Sequence, residues 1–191
     1  MTELVQGSWK ADFKWWPEGC MEKKRGFLTL KDLIKAEPAP GSDVCSIGKT
    51  AQGDCESKKS ALKVAEEMRE SSLAALKEVG FSGESTLKDE LQTNISNIRA
   101  LSYLGLYYSE KVKGAVYKGS GDDDKARTAM GNAYCYWKRY SSLMNEMYTG
   151  MEMQRTHDLK NWLSLDKDVL KEYTDLGGKG EPVCKDPAGM E

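Results

Sequence analysis

Residues 122–155 read DDDKARTAMGNAYCYWKRYSSLMNEMYTGMEMQR, and this stretch decides the fold. The acidic residues at its start suit the positive end of a helix dipole, and no proline interrupts the run. Apolar side chains recur in steps of three or four, the repeat of an α-helix, at Ala126, Met130, Ala133, Trp137, Tyr140, Met144, Met147 and Met151. The pattern predicts one long helix whose apolar stripe other helices must cover.

Two further stretches predict long helices that can cover it. Residues 57–79 carry an apolar face that stops at Gly80, the residue type that most readily takes the left-handed conformation after a last turn. Residues 86–115 carry a second apolar face that contains Gly105. A glycine inside a helix costs about 1 kcal/mol relative to alanine, so Gly105 indicates a close helix crossing. The short KGSGDDD connection favours the 122–155 helix as the antiparallel partner at that crossing.

A fourth, shorter helix is expected near the C-terminus. It is predicted to begin at Ser164 or Asp166 and to end at the glycines 177–178. Trp162 and Leu163, which precede it, are expected to pack against the long helices. The polar, proline-broken residues 179–191 are expected to form a loosely held tail.

The N-terminal region differs from the rest of the chain because it is rich in aromatic residues. The alternation in SWKADFKWW, residues 8–16, is typical of an extended strand, and residues 37–54 have the proline and glycine content of a surface connector. The predicted fold class is mainly α: an up-down helical bundle of three long helices plus a short one, with an aromatic-rich N-terminal extended arm. The arm and connector span 1–55 and the helical bundle spans 56–178, with one domain overall.

Charge and hydropathy exclude several classes of partner. The 191-residue chain has 28 basic and 30 acidic residues, a net charge of −2, so we expect no attraction to nucleic acid or to an anionic membrane. No apolar run approaches the ~18 residues that a transmembrane helix needs, and the first residues lack the apolar core of a secretion signal. The sequence predicts a soluble chain without a signal or transmembrane segment.

The cysteines do not follow a metal-binding pattern. There are five cysteines, none in a CxxC pair, and a single histidine, so neither a metal site nor a cofactor is predicted. Cys135 is predicted to be a small buried hydrophobic residue of the long helix. Cys45 and Cys55 flank a loop with glycine and would form a disulfide in an oxidising compartment, although free thiols are the default expectation.

The first candidate ligand site lies in the arm. The indole rings of Trp15 and Trp16 can pack on the apolar face of a sugar ring, and Glu18 and Arg25 can bind its hydroxyl or acidic groups. The structural alternative is that the tryptophans anchor the arm to the helices.

A second candidate site lies just beyond the long helix, where Arg155 and His157 precede Asp158. A histidine beside a carboxylate can act as an acid or base near neutral pH, but such a group more often caps a helix end. No nucleophile motif accompanies it, so no catalytic residue is assigned.

The runs LKDELQTNISNIRALSYLGLYYSEKVKGAVY, at 87–117, and NAYCYWKRYSSLMNEMYTG, at 132–150, resemble the helical C-terminal region of large polysaccharide-processing proteins of the α-glucuronidase-like type. The run WWPEGCMEKKRGF, at 15–27, looks like sequence that precedes that region. In such proteins the catalytic carboxylates belong to a separate barrel domain, which at about 250 residues is longer than this chain. The resemblance therefore implies a non-catalytic module in an extracytoplasmic setting.

Three functional hypotheses follow. The first is a non-catalytic helical accessory module of a carbohydrate-degrading system, which lends aromatic contacts to an oligosaccharide site and pairs with a catalytic domain or a second copy of itself. If the chain belongs to a larger protein, that protein is expected to be a glycoside hydrolase. The alternatives are a protein-interaction bundle without sugar binding and a small enzyme using His157. The identity of the sugar, the oligomeric state and whether the chain is a fragment stay open.

Overall fold

The computed structural model describes residues 29–80, 89–147 and 162–185 of the chain. Within these ranges there is no strand, only an isolated parallel bridge between Val44 and Lys59. The helices are α1 (Leu30–Lys35), α2 (Ile47–Gln52), α3 (Ala61–Gly80), α4 (Asp89–Gly119), α5 (Asp123–Met147), a 3-10 helix (Trp162–Leu165) and α6 (Asp166–Asp175). The prediction of a mainly α protein is confirmed. Of the predicted arm and connector at 1–55, residues 1–28 lie outside the described residues, and the rest contains α1 and also α2, which lies within the predicted surface connector at 37–54.

Side-chain caps set where the helices begin. Thr29 and Asp32 form a reciprocal capping box at α1, and the Ser46 side chain accepts a hydrogen bond from the Lys49 N–H at the start of α2. The Asp122 carboxylate accepts from the Lys125 N–H at 3.1 Å, which supports the predicted start of the long helix at its acidic residues. These local contacts satisfy backbone donors that a first helical turn leaves unpaired.

Helix α4 has the largest number of packing partners, because it contacts α1, α2, α3 and α5. Its pairing with α5 is antiparallel: the Tyr107 and Trp137 ring centroids lie 5.3 Å apart, whereas Gly114, further along α4, faces the earlier Met130. The sequence pointed to the 122–155 helix as the centre of the molecule, and the structure places α4 there instead. The physical reason is that α4 buries residues on more than one face, among them Leu104, Leu106, Tyr107, Ala115 and Val116.

The predicted close crossing at Gly105 exists, but with a different partner. A β-carbon added at Gly105 would lie 2.2 Å from the Ser72 hydroxyl oxygen on α3. The prediction that the 122–155 helix is the partner at this residue is therefore wrong. Helix α5 approaches α4 closely at Gly114, where an added β-carbon would lie 3.1 Å from the Met130 sulfur.

The short C-terminal helix follows its prediction in part. It begins at Asp166, one of the two predicted starts, and is followed by the left-handed Gly177 with φ 84°. Leu163 was expected to pack against the long helices, but it is 39% exposed. The reason is that Leu165, at the end of the same 3-10 helix, packs against the core instead.

Two disulfides link the described cysteines. Cys45 bonds to Cys55 with their α-carbons 5.5 Å apart, and Cys135 bonds to Cys184 with α-carbons 5.3 Å apart. The default expectation of free thiols at Cys45 and Cys55 is wrong, and the structure has the alternative, a disulfide between them. Cys135 is buried as expected, at 6% exposure, but it is not merely a hydrophobic residue of the core.

The C-terminal tail is joined to α5 by that second disulfide. The sequence separation of 49 residues between Cys135 and Cys184 gave no local signal of the pairing. The tail begins after α6 and returns along α5, so its described part up to Lys185 is covalently attached. The prediction of a loosely held tail at 179–191 did not include this link.

Candidate functional site

All the site residues predicted from the sequence lie outside the described residues. They fall within 1–28 and 148–161, and they are Trp15, Trp16, Glu18, Arg25, Arg155 and His157. Their roles therefore stay predictions. The candidate site that the described part of the chain offers is elsewhere.

This site is a groove of about 570 Å³ between α3, α4, α5 and the C-terminal tail. Its walls carry three basic side chains, one acidic side chain and one tyrosine, together with apolar residues and the Cys135–Cys184 disulfide. The polar side chains that the functional argument uses are Arg99, Tyr103, Lys138, Arg139 and Glu146.

Helical spacing brings these side chains into one groove. Arg99 and Tyr103 are four residues apart on α4, so they occupy the same face. Lys138, Arg139 and Glu146 lie on one face of α5, about two turns from end to end. The antiparallel pairing of α4 and α5 then sets these two faces beside each other, as the contact between Arg139 and Tyr103 shows.

Arg139 is held in place by two neighbours. Its Nη1 donates to the Tyr103 hydroxyl oxygen at 3.3 Å, and its guanidinium carbon lies 5.6 Å from the centroid of the Tyr103 ring. Its Nη2 donates to the Lys185 carbonyl oxygen at 3.4 Å. The groove thus presents a cation and an aromatic ring side by side in a defined arrangement.

The charge of the groove is opposite in sign to that of the whole chain. Three basic residues and one acidic residue line it, whereas the complete chain has a net charge of −2. Lys138 is partly neutralised, because its Nζ lies 2.8 Å from the Asp166 carboxylate. The remaining balance favours an anionic group in the groove.

Asp166 also holds the α5 side of the groove in position through hydrogen bonds. Its Oδ1 accepts hydrogen bonds from Trp137 Nε1 at 2.8 Å and from the Ser141 hydroxyl at 2.9 Å, while its Oδ2 accepts from Lys138. One carboxylate thereby joins the start of α6 to about one turn of α5. Such support from neighbouring side chains keeps the residues of a binding site in a fixed geometry.

A second polar cluster lies inside the core. Lys111 Nζ lies 2.8 Å from the Glu172 carboxylate and donates to the Tyr107 hydroxyl at 3.0 Å, and Glu172 also accepts from the Leu30 N–H at 2.8 Å. Burial lowers the pKa of Lys111 to about 8, against the opposing effect of Glu172, and burial raises the pKa of Glu172. The two side chains are only 2% and 9% exposed, so this cluster joins α1, α4 and α6 and is closed to a solute.

Sequence reasoning missed the groove although part of its signal was present. The i, i+4 pair of Arg99 and Tyr103 and the polar face of α5 can be read from the sequence. Their meeting depends on the register between α4 and α5 and on the return of Cys184 to Cys135, which no local pattern encodes.

No family model matches the chain, and no match was found among curated proteins or solved structures. The resemblance to α-glucuronidase-like proteins therefore stays a prediction. Across the described ranges, no group of three or more His, Cys, Asp or Glu side chains is placed to hold a metal ion. In the same ranges, none of the helices combines the length and the apolar character that crossing a bilayer requires.

Proposed function

We propose that this chain is a non-catalytic helical accessory module of a carbohydrate-degrading system and that the groove beside Tyr103 binds an oligosaccharide. In this proposal the helices form an up-down bundle on which the aromatic N-terminal arm lies. The module acts next to a catalytic domain or as a homodimer. The observation that carries the proposal is the contact of Arg139 with the Tyr103 ring in the groove.

The chemistry of these two side chains suits an acidic sugar. The carbon-bound hydrogens of a sugar ring pack on an aromatic face, and a guanidinium donates paired hydrogen bonds to a carboxylate or sulfate. Arg99 lines the same groove as a second guanidinium, whereas Lys138 is paired with Asp166. We therefore expect a carboxylated or sulfated oligosaccharide to bind more tightly than its neutral counterpart.

The number of carboxylates in the groove supports saccharide binding rather than glycoside hydrolysis. Hydrolysis of a glycosidic bond by the usual mechanism needs two carboxyl groups, about 5–10 Å apart, on either side of the bond. In the described part of the groove only Glu146 supplies one. Any catalytic carboxylates would come from a separate domain.

Two disulfides support an extracytoplasmic setting for this module. Disulfides persist in oxidising compartments and are rare where thiols are kept reduced. Cys45–Cys55 and Cys135–Cys184 engage all four described cysteines.

The binding proposal is tested by calorimetry with a uronate-containing oligosaccharide and its carboxyl-reduced form. Arg139→Gln should weaken binding of the uronate form by about tenfold or more, which corresponds to about 1.4 kcal/mol, and Tyr103→Ala should weaken both forms. The matched control is Arg127→Gln, because Arg127 is also on α5 and also donates to a carbonyl of the C-terminal part, that of Leu176. Arg127→Gln should leave the affinity unchanged.

Two results would contradict this site. Unchanged affinity in both Tyr103→Ala and Arg139→Gln would remove the groove from the proposal. Loss of binding in Trp15→Ala and Trp16→Ala, with the groove variants unaffected, would move the site to the arm. If no saccharide binds at all, the carbohydrate function itself is wrong.

The second candidate function is a protein-interaction bundle. It is favoured by Ile98 and Leu101, which are 41% and 44% exposed about one turn apart on α4. A catalytic domain or a second copy of the chain would cover them. Ile98→Glu with Leu101→Glu should then abolish association in sedimentation experiments, and the unaltered chain should bind no saccharide in calorimetry.

A further inference from the structure

The C-terminal tail segment, residues 181–185, runs along one side of α5. Its contacts fall on residues between positions 131 and 139 of α5, which is about two helical turns. They join Pro182 to Gly131, Glu181 to the Tyr134 hydroxyl, Cys184 to Cys135, and the Lys185 carbonyl to Arg139. The segment thereby places Cys184 in the wall of the groove.

Apart from the disulfide, the segment is held by a hydrogen bond between Glu181 and Tyr134, one from Arg139 to the Lys185 carbonyl and the packing of Pro182 beside Gly131. Glu181, Val183, Cys184 and Lys185 are exposed, and Val183 has 90% of its surface accessible. The hydrogen bond from Arg139 to the Lys185 carbonyl is long, at 3.4 Å. A segment with so little buried surface depends on the covalent bond for its position.

We propose that Cys135–Cys184 is a thiol–disulfide exchange site that an external dithiol opens at Cys184. Opening it releases residues 181–185 from α5 and removes one wall of the groove. This inference does not depend on which ligand the groove binds, because it rests on the exposure of Cys184 and the contacts of the tail segment.

The exchange is a two-electron transfer from the dithiol to the protein. The first thiolate of the dithiol attacks Cys184 Sγ, the bond between Cys184 and Cys135 breaks, and its electron pair passes to Cys135 Sγ. The second thiolate of the reagent then attacks the reagent sulfur of the resulting mixed disulfide, the bond to Cys184 Sγ breaks, and its electron pair passes to Cys184 Sγ. The reagent leaves as a disulfide, and both cysteines become thiols after protons are taken up.

The surroundings of the two sulfurs favour this direction of attack. Cys184 is exposed, whereas Cys135 is 6% exposed, so an incoming thiolate reaches Cys184 more easily. Cys135 shares the groove with Lys138 and Arg139. These basic side chains favour a thiolate at Cys135 whereas burial opposes it, so the direction of attack rests on the greater access to Cys184.

The other disulfide lacks these features. Cys45 is 3% exposed, and its sulfur lies 3.9 Å from the Asp54 carbonyl oxygen. Cys55 is half-buried, with its sulfur 3.4 Å from the Thr50 hydroxyl. An external dithiol should therefore open Cys135–Cys184 first.

The experiment uses the full chain carrying Cys20→Ser, because the remaining cysteine could otherwise exchange with the disulfides. After brief exposure to dithiothreitol, free thiols are alkylated with iodoacetamide and located by peptide mass spectrometry. Cys135 and Cys184 should be alkylated about tenfold faster than Cys45 and Cys55. Equal rates, or faster opening of Cys45–Cys55, would overturn the exchange site.

Release of the tail has its own readout, the rate of trypsin cleavage after Lys179 and Lys185. Reduction should raise this rate about tenfold, since a protease cuts a segment only when it is locally open. Cys184→Ser should show the fast rate without dithiothreitol, and the paired control Cys45→Ser with Cys55→Ser should stay slow until the reagent is added. An unchanged cleavage rate after verified opening of Cys135–Cys184 would contradict the release. The alkylation experiment leaves both disulfides unaltered, so it tests the exchange site even if Cys184→Ser fails to fold.

Discussion

At the scale of single residues, the pair of Lys111 and Glu172 carries the largest expected stability effect. Lys111→Met removes the cation and leaves the Glu172 carboxylate charged in a site where its side chain is 9% exposed. Loss of one partner of a buried ion pair typically costs about 3–5 kcal/mol. We expect a loss of that size in the free energy of unfolding, measured by urea denaturation with circular dichroism at neutral pH.

Two further variants test whether the loss of stability in Lys111→Met comes from the buried, unpaired charge of Glu172. Adding Glu172→Gln to Lys111→Met removes the stranded charge and keeps an oxygen for the Leu30 N–H, so much of the stability should return. Lys118→Met, also on α4, breaks a pair with Asp123, in which the side chains are 38% and 58% exposed, and should cost less than about 1 kcal/mol. A double variant no more stable than Lys111→Met alone would show that the charge of Glu172 is not the cause.

At the scale of helices, the contact of α4 with α3 at Gly105 is tight enough to test by substitution. Gly105→Ala gains about 1 kcal/mol of helix propensity, but its β-carbon would lie 2.2 Å from the Ser72 hydroxyl oxygen. The Ser72 hydroxyl must rotate away from the new methyl group, which costs about 0.5–1.5 kcal/mol if its side chain is forced off a preferred rotamer. The expected gain in the free energy of unfolding for Gly105→Ala is therefore smaller than helix propensity alone would give, or is lost.

The matched background for this prediction is Ser72→Ala. This substitution removes the hydroxyl oxygen. The β-carbon of residue 72 stays, 3.5 Å from the β-carbon added at Gly105, which is an ordinary van der Waals contact. Gly105→Ala should then stabilise the protein by up to about 1 kcal/mol. The double-mutant cycle measures the coupling of the two positions, and a coupling of zero would refute the close approach of α3 to α4 at Gly105.

The same helices show how far the sequence predicts this fold. Periodicity located the long helices and Asp166 marked the start of α6, because these signals are local. Helix α3 ends at Gly80, but Gly80 is its last helical residue and does not have the predicted left-handed conformation. The partner of Gly105 was wrong, since an apolar or small-residue face does not specify which neighbour it meets. The groove beside Tyr103 and the disulfide from Cys135 depend on contacts between distant residues, so sequence patterns could not supply them.

At the scale of the whole molecule, buried ionisable groups predict how stability changes at alkaline pH. Burial lowers the pKa of Lys111 from 10.5 to about 8, so between these values the unfolded chain binds more protons and stability rises with pH. Burial also raises the pKa values of Tyr107, Tyr108 and Tyr136 above 10. The stability that these raised pKa values contribute is fully present below pH 10. It is lost as pH rises further, because the folded state then binds more protons than the unfolded one.

These opposite signs predict a maximum of stability near pH 9–10. A difference of one bound proton changes the free energy of unfolding by about 1.4 kcal/mol per pH unit, so several buried tyrosines should make the fall above pH 10 steep. Urea denaturation at a series of alkaline pH values measures the profile, and absorbance at the tyrosinate band shows whether phenolates form only as the chain unfolds.

Lys111→Met should remove the rising limb and Tyr108→Phe should make the falling limb shallower, since each deletes one titrating group while keeping a side chain of similar size. A rising limb that persists in Lys111→Met would assign it to another group, and phenolate absorbance that appears before unfolding would show that the tyrosines of the core titrate in the folded state.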